Sequence, residues 1–262
     1  MSLSRDTLNQ SGFRQKKSGI YGIFLPKTTL NKEHIQIFMR RLIIADIHAN
    51  LPAFEAVLAD AGHWDEVWFL GDIVGYGPFP RECTALLQSL GARSVIGNHD
   101  RGISDRTSGF LWDRWTAEQL TDEQKIYISS LPQEQTVGDT YMVHCPRNVH
   151  YFYPSRTTLA DVEAAFSERK EKRIFFGHCH HRMNFYGADR EYHCIRAVGQ
   201  TRDRDPRAGY TVEEDGVLSH YRTAYDVEKL LWGLDRIGLE PEFLQKWKNF
   251  VCTGYDEDWS RY

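Results

Sequence analysis

The sequence has few cysteines, and their arrangement does not favour a disulfide-stabilised protein. There are five, an odd number, and no two stand in a C-x-x-C spacing. Secreted domains that depend on disulfides usually carry an even and closely spaced set, whereas cysteines in a reducing compartment stay free. We therefore expect a cytoplasmic protein whose cysteines are free thiols.

The chain also lacks a long apolar run and an excess of one charge. Charged residues or glycines interrupt every apolar stretch well before the ~20 residues that span a bilayer. The 262 residues include 32 Lys and Arg against 36 Asp and Glu, a net charge of -4. This balance gives no general attraction to nucleic acids or anionic membranes, and no basic strip with interleaved aromatic residues supports a nuclease. We do not expect a membrane protein, and the sequence carries no strong signal for nucleic-acid binding, which would need a local site.

Residues 1–38 lack the periodic patterns of the rest of the chain and the features of a secretory signal. We expect them to form an irregular N-terminal extension, followed by a single domain over residues 39–262. Met39 stands directly before the first apolar run and is a candidate alternative translation start. The other interpretation is an ordered arm that packs on the domain.

Short apolar runs alternate with helical patterns through much of the domain. Strands are predicted at 42–45, 66–70, 93–96, 140–143, 173–176 and 192–196, and helices at 51–60 and 80–90. Such alternation predicts right-handed crossovers in a largely parallel sheet, with a site at the carboxyl ends of the strands. Helical patterns continue from Asp100 to Ser130. Later, an Asp215-Gly216 turn predicts a hairpin within 208–221, and the pattern from Val227 to Phe250 predicts one closing helix.

Side chains that bind metals or transfer protons follow five of the predicted strands. They are Asp46 and His48; Asp72; Asn98, His99 and Asp100; His144; and His178 and His180. A single residue of this kind most often caps a helix or forms a turn. Five occurrences at equivalent positions indicate one common site, because the carboxyl ends of parallel strands meet at one edge of a sheet.

The residue types at these positions favour a transition metal. In Asp46-x-His48 and His178-x-His180, alternate residues of an extended chain face the same way and can hold one ion together. Imidazole, carboxylate and amide ligands suit manganese, iron or zinc and suit calcium poorly. A carboxylate shared by two ions, with a hydroxide between them, is an arrangement used for in-line attack on phosphorus. Asp72 is our candidate for the shared carboxylate.

In order and spacing, these motifs resemble those of the calcineurin-like metallophosphoesterases, and in particular a compact bacterial branch with a single domain. The matching segments are Asp46-x-His48, Gly71-Asp72, Gly97-Asn98-His99-Asp100, His144, Gly177-His178-x-His180 and Asp205-Pro206-Arg207-Ala208. The resemblance implies an α/β fold in four αββα layers, with two mixed β-sheets flanked by helices. It also implies a phosphatase or phosphodiesterase that acts on a small-molecule phosphate ester, with nucleotides among the candidates.

The resemblance further implies a role for each motif residue. Asp46, His48 and His180 would hold one divalent ion, Asn98, His144 and His178 would hold a second, and Asp72 would bridge the two. The ions would be manganese, iron or zinc, with manganese favoured for assays, and they would activate a bridging hydroxide. His99 and Asp100 are the predicted catalytic residues, with His99 contacting the phosphoryl oxygens or protonating the leaving group.

Three positions depart from the pattern of this branch. Cys145 replaces a glycine, Cys179 replaces a threonine, and residues 194–197 replace an Asn-Pro-Gly-Ser segment. We expect both thiols to be buried and inert, although soft metal ligands and oxidation sites are the alternatives. His150 and His181 either touch substrate or lie at the surface.

The rival hypothesis for the function is a catalytically weak scaffold of the same fold that binds other proteins. Loss of metal ligands would favour it, but every ligand position is filled. We therefore expect an enzyme, and the sequence does not name its substrate.

Overall fold

Apolar runs and amphipathic stretches of the chain form ten strands and eight helices within residues 39–105, 111–149 and 151–255, which the computed structural model describes. In chain order they are β1 Arg40–Ile44, α1 Leu51–Ala61, β2 Glu66–Phe69, α2 Pro80–Ser89, β3 Arg93–Ser94, α3 Asn98–Asp105, α4 Leu111–Gln119, α5 Asp122–Ser130, β4 Glu134–Val137, β5 Thr140–Val143, α6 Leu159–Ala165, β6 Arg173–Phe176, β7 Met183–Tyr186, β8 Glu191–Cys194, β9 Ala208–Glu214, β10 Val217–Thr223, α7 Val227–Leu234 and α8 Pro241–Thr253. The predicted extension, residues 1–38, lies outside the described residues.

The strands form two five-stranded mixed sheets. The first has the order β10-β9-β1-β2-β3 and the second has the order β4-β5-β6-β8-β7. Within them β1-β2-β3 and β5-β6-β8 run parallel, while β4, β7 and the β9-β10 hairpin pair antiparallel with their neighbours. Helical crossovers connect the parallel pairs β1-β2, β2-β3 and β5-β6, and short turns such as Asp215-Gly216 connect the strands of the antiparallel hairpins.

Side-chain alternation along β1 shows how the layers pack. Ile43 faces the second sheet, in a fully buried cluster with Trp68 of β2 and Phe175 of β6. Leu42 and Ile44 point the other way and pack against helices α1 and α2, for example through Phe54 and Leu87. Helix α6 covers the outer face of the second sheet in the same manner. The predicted αββα sandwich is therefore confirmed.

Several local predictions were wrong or incomplete. The closing helix predicted over 227–250 is two helices, α7 and α8, because Gly238 takes a left-handed φ of 78° and Pro241 begins a new helix. Strand β3 stops at Ser94, and residues 98–100 form the first turn of α3. Strands β4 and β7 and helix α6 were not predicted. Among the described helices, none is both long and apolar enough to cross a bilayer.

Candidate metal centre

The predicted ligands follow strands of both sheets and occupy unusual backbone conformations. Asp46, His48, Asp72, His178 and His180 all have positive φ, between 50° and 68°. Backbone hydrogen bonds hold the turns, as from the amide of Asp46 to the carbonyl of Gly71 at 2.9 Å and from that of His48 to the carbonyl of Asp72 at 3.0 Å. Residues other than glycine in the left-handed backbone conformation cost free energy, and they cluster at functional sites. Their concentration here marks the loops as a site.

Two buried histidines of these loops face each other. Nδ1 of His48 lies 3.2 Å from the carbonyl oxygen of Val74, and Nδ1 of His180 lies 2.5 Å from that of Gln200. Because a carbonyl oxygen only accepts, each Nδ1 carries the proton and each Nε2 carries a lone pair. The two Nε2 atoms are 3.0 Å apart, and Oδ1 of Asp46 is 3.4 Å from Nε2 of His180. Three electron-pair donors thus converge.

A second convergence surrounds His144. Its Nδ1 donates to the carbonyl oxygen of Leu70 at 2.7 Å, so Nε2 is the ring nitrogen that faces the other predicted ligands. That atom lies 3.0 Å from Oδ1 of Asn98 and 3.1 Å from Oδ2 of Asp72. Nδ1 of His178 is 2.8 Å from the same Asn98 oxygen. Oδ2 of Asp72 is fully buried, and His144 is the ring nearest to it.

A cation would satisfy both groups of donor atoms. The Nε2 lone pairs of His48 and His180 repel each other and have no hydrogen bond to make between them, which is costly in a protein interior. Donors that each lie ~2.1 Å from one ion are ~3.0 Å apart at right angles and ~3.4 Å apart at the tetrahedral angle, close to the spacings found here. Asp72 belongs to both groups, since its Oδ2 is also 3.9 Å from Nε2 of His48. The residues therefore fit two divalent ions.

The electrostatics of the rings agree with metal binding. Burial and then His180 lower the pKa of His48 well below its ordinary value, and burial and then Arg202 lower the pKa of His180. Both rings therefore stay neutral, the form that binds metals. Burial opposes protonation of His144 as well, but Asp72 raises the pKa of this ring to about 10. The carboxylate attracts a positive charge at this point, and a divalent ion would supply it.

Asp100 braces the loop that carries the shared carboxylate. One of its oxygens accepts from the backbone amides of Asp72 and Gly97, at 2.8 and 2.9 Å, and the other accepts from the amide of Ile73 at 2.9 Å. The side chain is fully buried in the first turn of α3. Because backbone amides occupy both oxygens, the carboxylate faces the loop instead of a substrate. This geometry favours a positioning role for Asp100, and its predicted catalytic role stays a prediction.

His99 lies beside the metal-binding atoms. Its backbone amide donates to Oδ1 of Asp72 at 2.9 Å, and its ring Nδ1 is 3.5 Å from Oδ1 of Asp113. The ring contacts His48 edge-on, with centroids 5.2 Å apart, and Tyr76 at 4.5 Å. Burial opposes protonation of the His99 ring, but Asp72 and then Asp113 raise the pKa of His99 above its ordinary value. Asp113, which the sequence did not single out, thus favours the protonated ring.

Three further side chains beside the centre were not predicted: Tyr76, Tyr151 and Arg202. The ring centroids of Tyr76 and His48 are 4.9 Å apart, and those of Tyr151 and His178 are 5.9 Å apart. The guanidinium of Arg202 hydrogen-bonds to both tyrosines. Only Tyr76 carried a signal, its place in the loop that begins at Asp72; the others lie in loops with no spacing that ties them to a ligand.

The cysteines beside the ligands are buried thiols. All five cysteines of the chain are free, with Cys179 buried and Cys145 half-buried. Burial and then Cys179 raise the pKa of Cys145 to about 12, so its thiol stays protonated and weakly reactive. His181 is half-buried, and burial lowers its pKa to about 4. His150 lies outside the described residues, and its predicted substrate contact stays a prediction.

Comparison with known proteins points in the same direction as the geometry. A family model described as calcineurin-like phosphoesterase matches residues 39–233. An uncharacterized protein from Methanocaldococcus jannaschii is 30% identical over 221 residues, which cover 71% of this chain and 88% of the relative. The crystal structure of a metallophosphoesterase from Sphaerobacter thermophilus is 34% identical, with a TM-score of 0.73 over 82% of this chain and 99% of that chain.

A third relative, from Aromatoleum aromaticum, is named a symmetrical bis(5'-nucleosyl)-tetraphosphatase. It is 29% identical over 138 residues, which cover 47% of this chain and 50% of the relative. The family match over residues 39–233 includes every predicted metal ligand as well as His99 and Asp100. The chain therefore belongs to the calcineurin-like phosphoesterase family.

Proposed function

We propose that this protein hydrolyses a small-molecule phosphate ester with the help of two divalent transition-metal ions. The observation that carries the proposal is the 3.0 Å approach of the His48 and His180 Nε2 atoms, each with its proton fixed on the other ring nitrogen. Such a pair has no hydrogen bond to make and is arranged to bind an ion. The second group of donors, around Asn98 and His144, supports a second ion.

Each motif residue then has a specific task. Asp46, His48 and His180 hold one ion, Asn98, His144 and His178 hold the other, and Asp72 serves both. When bound, the two ions would polarise the phosphoryl oxygens and lower the pKa of an attacking water.

We propose that His99 acts on the substrate itself. Because Asp113 lies against Nδ1 of His99, the opposite nitrogen, Nε2, is the atom that donates a proton or a hydrogen bond. Arg202 lies close enough to lower the pKa of His180, and its fixed positive charge favours an anionic substrate. The chain's own residues thus supply both a proton donor and an electrostatic guide.

The metal, the substrate class and the cellular location belong to the same proposal. Ligands of nitrogen and oxygen type suit manganese, iron or zinc, with manganese preferred for assays. The relative named as a nucleosyl tetraphosphatase supports a nucleotide as one candidate substrate, for either a phosphatase or a phosphodiesterase. Five free cysteines are consistent with a cytoplasmic location.

The proposal is tested by metal analysis and hydrolysis together. Elemental analysis of protein prepared without chelator should find up to two transition-metal ions per chain. Manganese-loaded protein should hydrolyse p-nitrophenyl phosphate or bis-p-nitrophenyl phosphate. Asp72→Asn should weaken both ion sites because it removes the shared charge, whereas Asp189→Asn, at an exposed position, should bind metal as the wild type does.

Two outcomes would contradict the proposal. Wild-type protein that stays free of metal after reconstitution would refute the ion sites. Protein that binds two ions but hydrolyses neither these esters nor a panel of nucleotides would favour the scaffold function instead.

A further inference from the structure

A cavity of about 550 Å³ adjoins the second ion site. Asn98, His144 and His178 are among its lining residues, and of these Asn98 and His178 are the half-buried members of the ligand set. The cavity therefore begins where the metal centre is open. Its volume is in the range of pockets that bind small molecules, so the part of a substrate beyond the reacting phosphoryl group fits here.

Two arginines line this cavity, and each follows a predicted metal ligand by three residues in the sequence. Arg101 follows Asn98 by three residues in α3, and Arg147 follows His144 by three residues after β5. Arginine presents a planar set of donors that matches phosphate oxygens.

Glu134, which also lines the cavity, does not cancel the positive charge of the two arginines. Oε1 of Glu134 lies 2.7 Å from Nη2 of Arg169, and its Oε2 accepts from the Tyr141 hydroxyl at 2.8 Å. Arg147 is 3.7 Å from that Oε2, and its side chain is 75% exposed. Since Arg169 lies outside the cavity and already pairs with Glu134, the lining keeps a positive charge.

The rest of the lining favours an anionic chain over a stacked base. None of the described residues that line the cavity is Phe, Tyr or Trp. The walls are instead aliphatic or polar, with Ile96, Val143 and Val149 among them. Bases are commonly held by stacking on aromatic rings, and the aromatic rings among these described lining residues, His144 and His178, are predicted metal ligands.

From this arrangement we infer that the cavity is a subsite for a second phosphoryl group, and that the preferred substrates are phosphoanhydrides with at least two linked phosphoryl groups. The inference rests on the proposed function, because it takes the ion-bound phosphoryl group as the reacting one. Arg101 and Arg147 bind the oxygens of the neighbouring phosphoryl group and so select polyphosphorylated substrates over simple esters.

The test compares inorganic tripolyphosphate with p-nitrophenyl phosphate, which has no second phosphoryl group. With manganese in excess of both substrates, wild-type protein should show a higher kcat/KM for tripolyphosphate. Arg101→Met and Arg147→Met should each lower the ratio of kcat/KM on tripolyphosphate to that on p-nitrophenyl phosphate by about tenfold or more, the worth of a hydrogen bond to a charged group. Arg236→Met removes the same charge from an exposed position outside the cavity and should leave the ratio unchanged.

A binding measurement keeps the inference independent of turnover. Calorimetry on manganese-loaded protein should show tripolyphosphate binding about tenfold more weakly to Arg147→Met, whose exposed side chain makes misfolding an unimportant concern. Equal losses on both substrates, or unchanged binding in both arginine variants, would overturn the subsite. If the wild type hydrolyses neither substrate, the proposed function fails, and the calorimetric comparison still decides whether the cavity binds polyphosphate.

Discussion

The backbone amide of Asp72 donates a 2.8 Å hydrogen bond to the carboxylate of Asp100, which ties the loop of the shared metal ligand to the first turn of α3. Asp100→Asn would replace one accepting oxygen by an amide donor, which would face backbone N–H groups. We expect manganese affinity to fall by roughly 10- to 100-fold, as when other outer partners of metal ligands are removed. Calorimetry measures it, with exposed Asp189→Asn as the matched control. Unchanged affinity would show that the brace has no effect on the ions.

His99→Asn tests the proton donor. The variant should keep both ions and lose ~10²–10⁴ in rate on an alkyl phosphoester, the usual contribution of a general acid. On a p-nitrophenyl ester, whose leaving group departs without a proton, the loss should be much smaller. Equal losses on both esters with both ions retained would exclude the acid role and leave stabilisation of the phosphoryl oxygens. Loss of an ion would place His99 among the metal ligands.

Gly97→Ala tests how tightly the loop of Asn98 packs against the shared ligand. A Cβ at Gly97 would lie 1.9 Å from Oδ1 of Asp72 and 2.3 Å from its backbone nitrogen, so Asp72 must move. We expect elemental analysis to find less than half the wild-type metal, because Asp72 serves both ions. In the control variant Gly91→Ala, the added Cβ would meet no atom within 4 Å. The variant bears only the cost of an alanine at a positive φ, so it should retain the metal. Full metal content in Gly97→Ala would contradict the assignment of Asp72.

His220 predicts a stability change on acidification, away from the metal centre. Its Nδ1 is 2.9 Å from Oγ1 of Thr211, and its Nε2 is 3.2 Å from Nδ2 of Asn184 in the other sheet. Burial and then Arg182 lower the pKa of His220 from 6.5 to about 4. Between these values the unfolded chain binds a proton that the folded protein does not, so stability falls as the pH falls through this window.

The measurement for His220 compares wild-type protein with His220→Gln, which does not titrate but keeps an amide for the same partners. Denaturant unfolding at about pH 7 and about pH 5 should show a larger loss of stability in the wild type, since only it gains this proton on unfolding. Parallel losses in the two proteins would mean that another group causes the acid sensitivity.

The parts of this protein that could be predicted from the sequence are those in which a local sequence pattern determines the secondary structure. Buried strands such as 140–143 and 173–176 are apolar on both faces, and the Asp215-Gly216 turn has the left-handed φ values of a two-residue hairpin loop, 52° and 83°. Strand β4, with the sequence Glu-Gln-Thr-Val, lies at the edge of its sheet and needs no apolar run, so its pattern gave no signal. Edge strands depend on a neighbour more than on their own sequence.

The same distinction applies to the site. Ligands such as His48 and His180 follow strands in short motifs, so their spacing alone indicates metal binding. The role of Asp100 depends on which backbone amides its carboxylate meets, and spacing does not contain that information. Arg101 and Arg147 each follow a ligand by three residues, a regularity visible in the sequence. The functional significance of this spacing becomes apparent only in the structure, where both side chains line one cavity.

The left-handed conformation of five predicted ligands has a consequence for protein engineering. Each such residue costs about 1–2 kcal/mol relative to ordinary backbone, so the turns persist only because the surrounding loops hold them. A transplant of the ligand side chains onto another scaffold would place them on backbone that points them elsewhere. A designer who wishes to move this centre must therefore transfer the turns after β1, β2 and β6 together with the carbonyl groups that orient the histidine rings.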